Sequence, residues 1–531
     1  MTEAREIAII GSGFAGSLMA RVLAVLGYDV VLLERGTHPR FAIGESSTPL
    51  ANLSLERLAR RYDLSDCREL AAHGRWLEHR PELRRGLKRG FSFYRHHPGR
   101  APDATELAEE RLLVAASPND MVADTHWLRA DVDHHFVRMA VDAGVDYRDR
   151  VELSQATTTD RSVTISGSRN GERCRLSAKF VIDASGPGGF LARQLSLRSA
   201  LRRTHTRSGV LFSHFRDVRD MQDVVPGLGD APFPEDWAAV HHLIDEGWMY
   251  SLRFDHGVTS AGFVLRESSS GSRRVTPAAP DLMWANLLAR YPTIGALFER
   301  ARPLCPLVHR PGIQHRLSRS AGRRWVLMPH AYAFVDPLFS TGIAWSLRAV
   351  ERLASSFERA RGKRGVPSGE ALARYDTLLG AEADQIDRVV AGAYEAMAHF
   401  ELFAAHAMIY FAAVSFSEVK QRIALHDEND AAWTGFLGVG DPALEPLPRA
   451  SLRRLRRITG GRQRTGTVAQ RREYARWARE AIATRNIGGF AEASRRNLYP
   501  VDLDMLIERH GLLGMTRDEV LAGLPLLRGT A

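Results

Sequence analysis

Residues 7–35 read IAIIGSGFAGSLMARVLAVLGYDVVLLER, and this stretch decides the fold. An apolar run of β-type residues leads into a glycine turn, a helical stretch and a second apolar run that ends on an acid. The order of strand, glycine turn, helix, strand and acid is typical of a βαβ unit that holds a dinucleotide. We therefore predict an α/β fold with a Rossmann-type domain.

Each part of this unit has a mechanical task. Gly11 permits the tight turn, Gly13 lets the backbone approach a pyrophosphate, and Gly16 lets the helix pack closely on the strand. The helix N-terminus offers N–H groups and a positive dipole end to phosphates, and Glu34 is placed to accept hydrogen bonds from a ribose diol. The predicted cofactor-binding residues of the unit are Gly11, Gly13, Phe14, Ala15, Gly16 and Glu34.

The length of 531 residues predicts more than one compact core. Strand-like segments within residues 208–270 alternate apolar and polar positions, which favours an antiparallel sheet with one solvated face. The chain beyond residue 369 is almost wholly helical in pattern. We predict a nucleotide-binding core with insertions at 1–205, an antiparallel-sheet substrate domain at 206–320, a return to the first domain at 321–365 and a helical region at 366–531.

Composition excludes several classes of protein. The three cysteines are odd in number and far apart, so we predict reduced thiols rather than a disulfide framework or a zinc site. The apolar stretch 403–416 is too short to span a bilayer and predicts a buried helix. With no signal peptide visible, we expect a cytoplasmic protein without stable membrane insertion.

The net charge of +10 is concentrated in residues 451–480, which are rich in arginine. Few aromatic residues are interleaved with these arginines, so nucleic-acid binding is not predicted. A solvated helix face explains the segment best, and docking of an acidic carrier protein is the alternative. The adjacent histidine pairs diverge on a strand or helix, so no metal site is predicted from them.

Three further segments narrow the dinucleotide to FAD. The first is the small-residue turn that begins at Asp183 after a strand, and the second is Arg129 on a helix between the two glycine turns. The third is the turn 336–343, DPLFSTGI, which opens a helix. N–H groups at such a helix start can face the pyrimidine edge of a flavin, which carries negative charge when it is reduced.

In this order the motifs resemble those of the flavin-dependent halogenases, within the wider class of aromatic hydroxylase-like flavoproteins. The resemblance covers residues 5–355 and includes the loop GESSTP at 44–49. It implies an FAD-dependent oxidoreductase that uses reduced FAD and O2 to halogenate an aromatic or phenolic substrate, free or carrier-bound. The further cofactor-binding residues that it implies are Glu45, Ser46, Arg129, Asp183, Asp336, Leu338 and Ile343.

The mechanism of this family rests on one lysine, whose ammonium holds or polarises hypohalous acid beside the substrate. Lys88 lies in the matching segment, before an aromatic run, and is the only lysine between the N-terminus and Lys179. The resemblance therefore implies that Lys88 is catalytic. The alternative is a surface lysine in a basic patch with neighbouring arginines. The resemblance also places halide at Thr341 and Gly342. At position 339 the chain resembles the phenol- and pyrrole-modifying branch of the family, because it has Phe339 there.

Two positions depart from the family pattern. The W-x-W-x-I-P motif between flavin and substrate is eroded, since Trp248 remains while Tyr250 replaces the second tryptophan. A direct monooxygenase or dehydrogenase reaction on the same scaffold is therefore the alternative function. His330 stands where the family usually has Asp or Asn at the ribityl chain. Trp248, Tyr250 and Phe339 are the predicted substrate residues, and a separate flavin reductase is the predicted source of reduced flavin.

Overall fold

A computed structural model describes residues 2–267, 279–362, 365–424, 435–460 and 466–528. Two large sheets organise these residues, with one apolar core that extends through the first sheet and the C-terminal helices and a smaller core on the outer face of the second sheet. The fold class predicted from the sequence is confirmed. Residues 461–465 of the basic segment lie outside the described residues.

The first sheet is the Rossmann-type sheet. Its central strands β10, β1, β2 and β7 run parallel in that order, β19 continues the parallel arrangement beyond β10, and the hairpin β8–β9 pairs antiparallel with β10. The sequence pattern of residues 163–166 and 174–182 predicts an antiparallel hairpin, which the pairing of β9 with β10 confirms. The strands of this sheet are β1 (Glu3–Ile10), β2 (Val30–Leu33), β7 (Asp146–Arg148), β8 (Val151–Thr158), β9 (Val163–Arg169), β10 (Glu172–Asp183), β18 (Ala321–Gly322) and β19 (Trp325–Leu327).

The second sheet has nine strands, and its centre is the predicted antiparallel set from residues 208–266. β4 joins this sheet through a parallel pairing with β12, and β21, from the C-terminal region, pairs with β5. The sheet therefore crosses the predicted domain boundaries. Its strands are β4 (Gly90–Arg95), β5 (Arg111–Ala115), β11 (Ser208–Arg216), β12 (Ala239–Ile244), β13 (Gly247–Arg253), β14 (Val258–Arg266), β15 (Arg302–Pro303), β16 (Val308–Arg310) and β21 (Leu498–Tyr499).

Two small ribbons complete the strands. β3 (Arg85–Lys88) pairs with β6 (Asp124–Trp127), and β17 (His315–Arg316) pairs with β20 (Ala333–Phe334). Apolar positions three and four apart in residues 125–143 predict a helix over that whole segment. The helix begins later, at Arg129, because residues 124–127 form a strand of this ribbon.

Helices pack against the first sheet and build the C-terminal region. The helices are α1 (Phe14–Val25), α2 (Pro49–Tyr62), α3 (Ser65–Glu69), α4 (His73–His79), α5 (Ala104–Glu109), α6 (Arg129–Asp142), α7 (Phe190–Gln194), α8 (Met221–Val224), α9 (Pro280–Arg290), α10 (Pro292–Leu297), α11 (Pro329–Tyr332), α12 (Thr341–Arg361), α13 (Gly369–Ala396), α14 (Phe400–Ile423), α15 (Leu447–Thr459), α16 (Val468–Ile482), α17 (Leu503–Glu508) and α18 (Arg517–Arg528).

The apolar helix α14 is longer than its sequence suggests. It has 24 residues, so its length and composition meet the requirement for a bilayer span, and the predicted limit of 403–416 was too short. Its most apolar window is 83% buried inside the protein, against α13, α16 and α18. The burial of this helix supports its interpretation as a core helix.

Candidate active site

Two glycines of the turn after β1 are required by packing alone. Gly11 has a φ of +98°, and a Cβ there would lie 2.6 Å from the backbone oxygen of Ala184. A Cβ at Gly16 would lie 2.0 Å from the backbone oxygen of Gly11. Larger side chains at either position would push α1 away from the ends of β1 and β10.

Gly13 differs from these two glycines, because a Cβ there would meet its neighbours only at ordinary contact distance. The nearest atoms are guanidinium nitrogens of Arg129 and Arg40, at 3.7 and 3.8 Å, and a carboxylate oxygen of Asp133 at 3.8 Å. Gly13 is also the residue that precedes α1. Space, positive charge and a helix N-terminus together fit a pyrophosphate, so the residues present suit FAD. No local pattern in the sequence marks Arg40, which was therefore missed.

Glu34 lies against the same turn. One carboxylate oxygen accepts hydrogen bonds from the backbone N–H and hydroxyl of Ser12, at 3.0 and 2.9 Å, and the other accepts from the N–H of Gly36 at 2.9 Å. Burial acts to raise the pKa of Glu34, but the hydrogen bonds from Gly36 and Ser12 outweigh it and lower the pKa. The group is therefore an oriented carboxylate at the edge of the turn.

Arg129 joins the glycine turn to the loop at 44–49. Its guanidinium donates to both carboxylate oxygens of Asp133, at 2.8 and 2.9 Å, and to the carbonyl oxygens of Ile43 and Gly44 at 3.2 Å. It also lies 4.7 Å from the ring centre of Phe14. Asp133, which no local sequence pattern marks, also accepts from the N–H of Phe14.

Asp183 has a fully satisfied carboxylate. It accepts from the N–H and the hydroxyl of Ser185 and from the N–H of Leu191, at 2.9, 2.6 and 2.7 Å. These bonds shape the turn after β10, which Gly11 touches. The structure therefore gives Asp183 a role in building the turn, and direct contact of Asp183 with a cofactor stays a prediction.

The turn before α12 brings together the residues predicted at flavin and halide. Ser340 adopts a φ of +51°, and α12 begins at Thr341. The Nε2 atom of His330 would lie 3.0 Å from a Cβ at Gly342, and burial lowers the pKa of His330 to about 4. A neutral imidazole thus faces this helix start. Thr341, Leu338 and Ile343 are buried in the same turn.

Three consecutive residues of the loop at 44–49 contact, in order, the turn before α12, Lys88 and a cavity. The hydroxyl of Ser46 lies 3.1 Å from the hydroxyl of Ser340. The carbonyl oxygen of Ser47 accepts a hydrogen bond from Lys88 Nζ at 2.5 Å. The next residue, Thr48, lines a cavity on the far side. Glu45 is buried and contacts His214 Nε2 at 3.1 Å.

Lys88 is fully buried, with an exposed fraction of 0%, which excludes the surface alternative. Its ammonium lies 4.0 Å from the ring centre of Phe91, and on the neighbouring strand its register partner is Asp124. Burial lowers the pKa of Lys88, and the negative charge of Asp124 opposes this shift. A lysine that shares its proton readily near neutral pH is the expected consequence.

The cavity beside Lys88 has a volume of about 150 Å³. Aromatic and aliphatic side chains form most of its wall, and Asn52 and Asp124 are polar groups on the wall near Lys88. Neither was named from the sequence, since no local pattern marks them. The lining includes Thr48, Pro49, Asn52, Phe91, Asp124, Tyr410, Phe411, Val414, Phe436, Ile487, Phe490 and Leu506, and the charged residues Glu56, Arg75, Glu418, Arg422 and Asp502.

Comparison with known proteins gives this arrangement a family. A model of the FAD binding domain matches residues 4–229, and a model named tryptophan halogenase matches residues 125–403. The chain belongs to the tryptophan halogenase family. It is therefore a flavin-dependent halogenase, an FAD-dependent oxidoreductase enzyme.

Several characterised halogenases share about a quarter of their residues with this chain. Tetracycline 7-halogenase of Kitasatospora aureofaciens is 29% identical over 405 residues, which cover 75% of this chain and 71% of that protein. Monodechloroaminopyrrolnitrin halogenase PrnC of Pseudomonas fluorescens is 27% identical, with coverage of 75% and 69%. A crystal structure of a variant of halogenase PltM with FAD is 26% identical, with a TM-score of 0.82 over 93% of this chain and 99% of that chain.

In this halogenase none of the three predicted substrate residues lines the cavity. Phe339 stacks on Tyr410, with ring centres 4.5 Å apart. Trp248 Nε1 donates to the hydroxyl of Tyr394 at 3.1 Å, which in turn donates to Asp336 Oδ2 at 2.9 Å. Contact of Trp248, Tyr250 and Phe339 with substrate stays a prediction. Trp248 instead holds the turn before α12 through Tyr394.

One group of possible metal ligands occurs among the described residues of this halogenase. His97, Glu106 and Glu110 offer ligand atoms within 4.8 Å of one another. All three are half-buried, and Glu106 also pairs with Arg100. The group lies outside the cavity beside Lys88 and is explained by ion pairing.

Proposed function

We propose that this halogenase acts on a single electron-rich aromatic ring, a phenol in particular, and that Lys88 delivers the halogen to it. The observation that carries the proposal is the place of Lys88. Its Nζ bonds to the carbonyl oxygen of Ser47, and its neighbours Phe91 and Asp124 line the cavity, although Lys88 itself does not. An apolar cavity of about 150 Å³ is known to bind benzene, so one ring of that size suits the volume. Aromatic and aliphatic residues form most of the wall, as is typical of a site for a small aromatic molecule, and charged residues also line it.

When bound, reduced FAD supplies two electrons that, with O2 and halide, give hypohalous acid. The residues of the chain do the remaining work. The ammonium of Lys88 holds the hypohalous acid by a hydrogen bond and can give a proton to its oxygen as the halogen leaves. Phe91, Tyr410 and Phe411 exclude water from the ring and limit its orientation.

We also propose the roles of the turn before α12. The backbone N–H groups at the start of α12, at Thr341 and Gly342, would hold halide and the pyrimidine edge of the flavin, because a helix N-terminus attracts negative charge. Gly13, Arg40 and Arg129 would hold the pyrophosphate. Glu34 would fix the ribose, and His330 would donate to the flavin in place of the usual acid.

Partners and location follow from the same proposal. A separate flavin reductase would supply reduced FAD, and a cytoplasmic location would provide the nicotinamide that such a reductase consumes. Delivery of the substrate on an acidic carrier protein stays a prediction. It rests on the exposed arginines of α15 and α16, some of which line a surface groove of about 580 Å³ with Phe400 and Met408.

Mass spectrometry of the products tests this function. The purified protein, FAD, an external flavin reductase and NADH are incubated with a panel of single-ring phenols, with and without bromide. We expect a product with one bromine in place of hydrogen, absent without bromide and absent with Lys88→Ala. A hydroxylated product that is independent of bromide would instead establish the monooxygenase alternative.

A further inference from the structure

Asp124 has an unusual place in the cavity wall. It is the register partner of Lys88 across the β3–β6 ribbon, and the residue is only 2% exposed. Its Oδ1 accepts a hydrogen bond from the amide nitrogen of Asn52 at 2.9 Å. Its Oδ2 is buried and has no hydrogen-bond partner among the described residues. Both Asn52 and Asp124 line the cavity.

A buried carboxylate with one free oxygen is costly, because water no longer solvates it. The nearby cation relieves this cost through its charge and not by a hydrogen bond. Lys88 Nζ donates to the carbonyl oxygen of Ser47, and among the described residues no hydrogen bond joins Lys88 to Asp124. Structural packing would favour an amide or an apolar residue here, so the free oxygen indicates a ligand that donates a proton.

We propose that Asp124 is a catalytic base, which accepts the proton of a ring hydroxyl of the substrate at Oδ2 while Asn52 fixes Oδ1. The proposal rests on the function proposed above and specifies its substrate class as hydroxylated rings. A phenolate ring is far more nucleophilic than a phenol, so removal of this proton activates the carbon that attacks the halogen. Lys88 and Asp124 would then act on the two reactants from adjacent positions of one ribbon.

The steps balance without any further reagent. Asp124 takes the O–H proton, the ring carbon forms a bond to the halogen of HOX, and the O–X bond breaks. The departing oxygen takes a proton from the Lys88 ammonium and leaves as water. The neutral Lys88 amine then removes the ring C–H proton, and Asp124 returns its proton to the ring oxygen. The sum is ArH(OH) + HOX giving ArX(OH) + H2O, with both residues restored.

The charges around Asp124 suit a base that works near neutral pH. Burial raises the pKa of Asp124, and the charge of Lys88 limits this rise. On α14, Glu418 acts to raise the pKa further and Arg422 acts to lower it, while Tyr410 is a buried neutral phenol on the same helix. Asn52 on α2 and Phe91 on β4 are uncharged. On the β3–β6 ribbon, the residue opposite Asp124 is the cation Lys88.

A pair of probes isolates the role of the hydroxyl proton. Resorcinol has ionisable hydroxyls, and 1,3-dimethoxybenzene has the same ring with methyl ethers in their place. Bromination of both is measured with the complete protein, FAD, flavin reductase, NADH and bromide. For Asp124→Asn we expect kcat/KM to fall about 100-fold for resorcinol, the size typical of a general base, and to change less than about threefold for 1,3-dimethoxybenzene.

A matched control is Asp387→Asn, which alters another buried carboxylate whose oxygens accept from the N–H groups of His205 and Thr206. Any effect of this change is expected to be equal for the two probes. Equal losses for both probes with Asp124→Asn would overturn the proposal, because support of the fold or of Lys88 would explain them. Wild-type protein that brominates neither probe would overturn the proposed substrate class itself.

A second measurement uses only wild-type protein and does not depend on the folding of a variant. With resorcinol, kcat/KM is expected to fall as pH decreases through the raised pKa of Asp124, because the base becomes protonated. With 1,3-dimethoxybenzene this acid limb is expected to be absent. An identical acid limb for both probes would overturn the assignment of Asp124 as the base.

Discussion

The glycine turn and the cavity wall around Lys88 are built by different means. In the turn, Gly11 and Gly16 are required by backbone atoms that lie 2.6 Å or less from where a Cβ would stand. At the cavity, Asp124 and Tyr410 line the wall and Lys88 is the strand partner of Asp124, and these residues come from elements that are separate in sequence. Cofactor binding therefore depends on backbone space, whereas chemistry depends on a few buried polar groups.

The largest effect is expected from Lys88→Ala, which should impair the chemistry at the cavity and leave FAD binding at the glycine turn intact. Loss of the ammonium removes the group that holds and protonates the oxidant, so halogenation should fall by about 10³-fold. FAD affinity, measured by quenching of flavin fluorescence, should change little, because the glycine turn is untouched. Lys88→Arg is the charge-retaining control, and it should also be inactive because a guanidinium does not release its proton. Halogenation above a tenth of the wild-type rate would contradict this role.

Within the turn, Gly16→Ala and Gly13→Ala should fail in different ways. The methyl of Gly16→Ala overlaps the Gly11 oxygen at 2.0 Å, so we expect a loss of about 2 kcal/mol or more in the free energy of unfolding. The methyl of Gly13→Ala meets no protein atom within 3.7 Å, so stability should be kept while FAD affinity falls. Thermal unfolding without FAD and flavin titration measure the two effects. Equal losses of stability for the two variants would contradict the view that packing requires Gly16 and that space for FAD requires Gly13.

The same contrast separates what could be predicted from the sequence from what could not. The βαβ unit was predictable because its strand, turn and helix follow one another and obey backbone rules. The halogenase motifs predicted the cofactor and the family for the same local reason. Asn52, Asp124 and Asp133 were missed because their roles arise only when β6, α2 and α6 meet β3 and the turn. The start of α6 was misplaced because residues 124–127 pair with β3, a tertiary contact that overrides the helical pattern.

Asp336, which lies in the turn before α12, gives a pH test of moderate size. Burial raises the pKa of Asp336 to about 6, although Ser208 and Tyr394 donate to it and lower the shift. The folded chain therefore holds this proton more tightly than the unfolded chain, whose carboxyl pKa is about 4. Stability from this group is present below about pH 4 and is lost as pH rises through about 6, by about 3 kcal/mol.

Asp336→Asn should remove that pH dependence. Chemical denaturation of the wild type and the variant between about pH 4 and about pH 7 measures it, and the difference between their free energies of unfolding should change most between about pH 4 and about pH 6. Glu34 is the contrasting acid, because its hydrogen bonds lower its pKa and its contribution is lost as pH falls instead. Parallel curves for the wild type and Asp336→Asn would show that Asp336 titrates normally in the folded chain.

The smallest effect is expected from Tyr410→Phe, where one hydroxyl joins the cavity wall to the predicted halide turn. The hydroxyl donates to the carbonyl oxygen of Phe339 at 2.8 Å, two residues before Thr341, while the ring stacks on the ring of Phe339. Removal of the hydroxyl keeps the stacking and costs about 1 kcal/mol. A loosened turn should raise the KM for bromide severalfold and leave kcat nearly constant. A change in kcat with an unchanged KM for bromide would instead indicate that the hydroxyl of Tyr410 acts on the side of the substrate. This variant therefore decides whether the residue serves the predicted halide turn or the cavity.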